Sequence, residues 1–61
     1  MKLNMFDVIE LKDNKKVIVI EETKIGYKVK DVDNNAIYDI NNSQINNILH
    51  RNKQGRYIEW H

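Results

Sequence analysis

The chain has 61 residues with no Cys and no Pro, and ten basic residues stand against nine acidic ones. So short a chain buries only about 60% of the surface its unfolded form exposes. That allows one domain, 1–61, held by packing or by association with another chain, because disulfides and thiolate metal sites are excluded. The near-neutral, interspersed charge argues against a dedicated nucleic-acid binder, and the scattered carboxylates make no acidic face that would mimic a nucleic acid.

The opening "MKLNMFDVIE" reaches Asp7 before any apolar stretch develops, so no secretory signal is expected. The longest unbroken apolar run is Val17–Ile20, far below the roughly 20 residues a membrane helix needs. A cytoplasmic protein without membrane contact is the expectation. Ile, Asn and Lys supply 26 of the 61 residues. All three use A/T-rich codons, which suggests an AT-rich bacterial or phage source.

In chain order, "MFDVIEL" (Met5–Leu11) and "VIVIEE" (Val17–Glu22) are rich in strand formers. Between them, Asp13-Asn14 suits the centre of a two-residue hairpin loop. Tyr27–Val32 alternates cleanly: Tyr27, Val29 and Asp31 share one side of an extended chain, Lys28 and Lys30 the other. Asp33–Asn35 reads as a second turn and Ala36–Ile40 as a fourth strand. Ile45, Ile48 and Leu49 then stand at i, i+3 and i+4, which predicts a short helix within 41–53, capped by Asn42 or Ser43. "RYIEW" (Arg56–Trp60) is the predicted fifth strand, pairing with the first. The expected core is Phe6, Val8, Val17, Val19, Val29, Ala36, Tyr38, Ile40, Ile45, Ile48, Leu49, Ile58 and Trp60.

These elements predict an all-β fold, a small five-stranded barrel with one short helix before the last strand. "DVIELKDNKKVIVIEE" resembles the opening hairpin of small bacterial SH3-like barrel proteins, including domains with the KOW motif. "YKVKDVDNNAIYDINNSQI" resembles their middle hairpin and helical turn. The resemblance covers most of the chain and implies an SH3-like barrel. It departs from the KOW pattern in the first hairpin loop, Asp13–Lys16, which has none of the glycines found there, so RNA binding of the KOW type is not implied.

Little in the sequence suggests catalysis. Ser43 and Thr23 are the only aliphatic hydroxyls, Ser43 has a capping role, and His50 is placed at a helix end where a cation suits the dipole. Gly26 and Gly55 are isolated, so no phosphate-cradling loop exists. Neither a cofactor nor a metal site is expected.

Two groups of residues are candidates for binding. Lys28 and Lys30 could contact phosphates, or form the solvated side of a sheet, partly neutralised by Glu21 and Glu22 on the preceding strand. The block "HRNKQGRYIEW" gathers Arg51, Lys53, Arg56 and Tyr57. Arg and aromatic side chains are enriched at protein hot spots and also stack single-stranded nucleic acid. The expected function is a non-catalytic module that binds another protein. The alternatives are a small RNA- or DNA-binding module using the same basic-aromatic face, and a structural or phage accessory protein working as a homo-oligomer.

Overall fold

The computed structural model describes residues 2–52. Five antiparallel strands form one sheet: β1 (Val8–Leu11), β2 (Lys16–Glu22), β3 (Gly26–Asp31), β4 (Ile37–Asn41) and β5 (Ile45–His50). Their order across the sheet is β4-β3-β2-β1-β5. β1 to β4 thus form a meander, and β5 returns to pair with β1. Among the described residues no ladder joins β4 to β5, so the sheet is open between them.

The hairpins follow from residues that tolerate a left-handed backbone. Asn14 has φ 72°. Its N–H donates to the Leu11 carbonyl and the Leu11 N–H to the Lys15 carbonyl, both at 2.8 Å. The loop is therefore the three residues 12–14, one longer than the two-residue turn predicted on Asp13-Asn14, and Asn14 takes the left-handed position such loops require. Asn35, at φ 63°, does the same between β3 and β4. At the β2–β3 turn, Gly26 is needed for space. A Cβ there would collide with the Ile40 carbonyl oxygen and the Asn41 Cα of β4.

The core is Leu3, Ile9, Leu11, Val17, Val19, Tyr27, Val29, Ile40 and Ile45, with Tyr38 and Ile48 packed against it. Val17, Val19, Val29, Tyr38, Ile40, Ile45 and Ile48 were expected there. Four residues expected in the core are not. Ala36 is exposed and Val8 only half-buried, while Phe6 and Leu49 are 46% and 43% exposed. In β1 the inward positions are Ile9 and Leu11. Ile58 and Trp60 lie outside the described residues.

The predicted helix is the largest correction. Among the described residues only Asn42–Gln44 is helical, a single 3-10 turn, and the Ile45, Ile48 and Leu49 segment is strand β5. The cap is Asn41 rather than Asn42 or Ser43. Its side chain accepts from the Ser43 N–H at 3.1 Å, and Gln44 Oε1 accepts from the Asn41 N–H at 3.0 Å. The turn ends where Ile45 becomes extended and buried, because pairing with β1 outweighs the weak helix propensity of an Asn-rich stretch. His50 accordingly sits on a strand opposite Val8, not at a helix end. The strand predicted at 56–60 lies outside the described residues.

Candidate interaction surfaces

The lysine side of β3 faces outward, as the alternation predicted. Lys28 is half-buried and Lys30 exposed, while Tyr27, Val29 and Asp31 are buried on the other side. Register decides how free each charge is. Lys28 lies between Glu21 of β2 and Asp39 of β4, so its field is offset from both sides. Lys30 lies between Ile18 and Ile37. One of the two lysines is thus embedded in an apolar row and the other in a balanced one, which makes a poor phosphate-contacting stripe.

Buried Asp31 is occupied by structure. Its carboxylate accepts from the Asp33 N–H at 2.8 Å and from the Tyr38 hydroxyl at 3.3 Å. Partial burial, followed by the negative charge of Asp31 and that hydrogen bond, raises the Tyr38 phenol above its ordinary value.

Arg51, one of the binding candidates, also faces a buried carboxylate. Asp7 is completely buried. One of its oxygens accepts from the Asn52 N–H at 2.6 Å and the other from the Asn4 N–H at 2.8 Å. Arg51 Nε lies 3.8 Å from that second oxygen, and Arg51 Nη2 donates to the Lys2 carbonyl at 2.6 Å. The two Asn side chains reinforce the same join: Asn4 Nδ2 donates to the Asn52 carbonyl and Asn52 Nδ2 to the Met5 carbonyl, both at 2.9 Å. Asp7 therefore clasps the N-terminal arm to the chain leaving β5. Lys53, Arg56 and Tyr57, the other members of the predicted basic-aromatic block, lie outside the described residues.

The clasp holds an unusual corner. Phe6 and Asp7 together oppose Val19: the Phe6 N–H donates to the Val19 carbonyl at 2.7 Å, and the Val19 N–H to the Asp7 carbonyl at 2.9 Å. Two residues against one is the geometry of a β-bulge, whose left-handed position normally holds Gly. Here it holds Phe6 at φ 67°. The extra residue turns the Phe6 ring outward, and Met5 beside it is 39% exposed. Sequence reasoning assigned Phe6 to the core and passed over Asp7. The available signal was "MFDVIEL" itself, which has more apolar residues than one strand face can bury and a lone Asp among them.

Among the described residues no helix is long and apolar enough to cross a membrane, and no three His, Asp or Glu side chains converge as metal ligands would. The chain matches no protein-family description, no curated protein and no solved structure.

Proposed function

We propose that the chain is an SH3-like barrel acting as a non-catalytic module that binds another protein, with Phe6 as the anchor of the contact. Support for the fold reading comes from the strand order, in which the last described strand pairs with the first and a single helical turn precedes it. Carrying function from fold alone would be analogy. The observation behind the functional reading is the corner.

A bulky residue in the left-handed region costs about 1–2 kcal/mol, and Gly would avoid that cost. Burial of the other half of the ring recovers only part of that cost within this chain, since nearly half of the Phe6 surface stays in solvent. An exposed ring on a backbone fixed by hydrogen bonds loses little entropy on docking, which suits a hot-spot residue entering an apolar pocket.

Phe6→Gly provides the test. By denaturant unfolding, its stability should stay within about 1 kcal/mol of the parent, because relief of strain offsets most of the lost half-burial of the ring and the added freedom of the unfolded chain. In capture from nuclease-treated lysate of the source cells, the specifically retained proteins should be lost. Equal capture by both proteins rejects the reading. So does a large loss of stability, which would make Phe6 a packing residue.

A further inference from the structure

Among the described residues the sheet ends on two edges, and they differ. β5 pairs with β1 through two register shifts, and such bulges blunt an edge against further pairing. β4 pairs with β3 from Ile37 to Asn41 without a shift, and it carries neither Pro nor Lys.

The direction of its backbone groups follows from one bond. The Asp31 N–H donates to the Ala36 carbonyl at 2.8 Å, which makes that pair a hydrogen-bonded position. Alternation along an antiparallel ladder extends this to Val29 with Tyr38 and Tyr27 with Ile40. The N–H and C=O groups of Ile37 and Asp39 therefore point away from β3, toward the open edge. At Asn41 the outward N–H is already taken by Gln44 Oε1. The cap of the 3-10 turn thus closes one end of the edge and leaves the Ile37–Asp39 stretch open.

The side chains on the outer face specify what would fit. Ile37 is 58% exposed, and Asp39 is exposed beside it. Lys28 is the register neighbour of Asp39 and offsets part of its charge. It makes no ion pair with it, those among the described residues being Lys2–Glu22 and Arg51–Asp7, so Asp39 can still take a second cation from the open side. We infer that the Ile37–Asp39 edge accepts an extended segment of a protein partner. The segment pairs through its backbone and sets a Lys or Arg opposite Asp39 and a β-branched apolar residue opposite Ile37.

A second copy of this chain is a poor occupant. Two β4 strands paired antiparallel about Asp39 would bring their carboxylates face to face. Paired about Tyr38, they would set Ile37 against Asp39 twice. The edge lies beyond β2 and β3 from the Phe6 corner, so the inference does not depend on that corner.

The test uses two blocked seven-residue peptides, TVTKTVT and TVTETVT, whose symmetry presents the same outer face in either strand direction. Each is titrated into the labelled protein and followed by amide NMR and hydrogen exchange. The Lys peptide should shift the Ile37 and Asp39 amides and slow their exchange. It should bind at least about fivefold more tightly than the Glu peptide, and Asp39→Lys should reverse that preference. If circular dichroism shows that Asp39→Lys is misfolded, Asp39→Asn replaces it and should bring the two peptides close to equal affinity.

Three results would overturn the inference. One is no response at these amides at millimolar peptide. Another is equal binding of both peptides by the parent protein. The third is a sedimenting dimer whose Ile37 and Asp39 amides are protected without peptide, which would make a second copy the occupant.

Discussion

Asp7→Ala removes the acceptor for two backbone N–H groups and the counter-charge of Arg51. A hydrogen bond to a charged group contributes about 1.5–3 kcal/mol, and donors left without a partner add to the loss. The Arg51 contact adds less than about 1 kcal/mol, because its side chain is 41% exposed and the separation is 3.8 Å. The expected loss is therefore roughly 3–6 kcal/mol or more, at least as large as the whole stability a core of this size supplies. Asp7→Ala should be mostly unfolded at 25 °C. Asp7→Asn, which keeps one acceptor and turns an NH2 toward a second donor, should fold with a loss of about 2–3 kcal/mol. Arg51→Met loses both the distant Asp7 contact and the exposed bond from Arg51 Nη2 to the Lys2 carbonyl, and should cost about 1 kcal/mol. Urea unfolding followed by circular dichroism measures all three. If Asp7→Ala unfolds within about 1 kcal/mol of the parent, or if Arg51→Met costs as much as Asp7→Asn, the clasp is not held by the backbone donors and the account fails.

Gly26→Ala should lose more than about 2 kcal/mol, since backbone of β4 would have to move to admit the methyl group; a variant as stable as the parent would show that β3 and β4 are not so close. Tyr38 should titrate above the ordinary phenol value of about 10. Its folded value is raised, so its contribution to stability is fully present below about 10 and is lost as pH climbs through the folded value. A tyrosine-ring NMR titration should show this and should move downward in Asp31→Asn; a Tyr38 ring that titrates at or below the ordinary value would contradict it.

The middle of the sheet was legible because its chemistry is local. Tyr27 to Asp31 alternates without interruption, and Asn14 and Asn35 mark turns by their own backbone tolerance. The ends of the sheet were harder. In β1, apolar residues occupy both faces of the sequence, and the bulge opposite Val19 decides which side Phe6 takes. In β5 the strand imitates a helix. The register puts Asn46 and Leu49 as extra residues between paired positions, so the inward residues Ile45 and Ile48 fall three apart instead of two. The single bulge at Asn46 sets Ile45 and Ile48 at a helical spacing, the exposed Leu49 completes the apparent helical face, and nothing within 41–53 reveals that the partner is β1.

The candidate surface was legible only in part. Lys28 and Lys30 were placed on the correct side, but their charge balance depends on cross-strand register. Arg51 looked like a free cation, because the carboxylate that engages it stands far away along the chain. Phe6 and Asp7 were missed for a related reason: a hydrophobic pattern cannot report a left-handed backbone held from across the sheet.

The clasp between Asp7 and Asn52 joins residues 45 positions apart, and this bears on how the molecule assembles. β1 to β4 form three hairpins in succession, each closing a short loop. β5 can dock on β1 only after the rest of the chain has looped back, and that closure is entropically costly before any non-local contact offsets it. The meander should therefore form first, with β5 arriving late and leaving early. Native-state exchange should find the β5 amides opening ahead of those in β2 and β3. Whenever β5 departs, the edge of β1 is bared, and at high concentration the β5 of another molecule is the strand best matched to fill it. Domain exchange should then be the misassembly seen first at high concentration, and weakening the Asp7 clasp should make it more frequent.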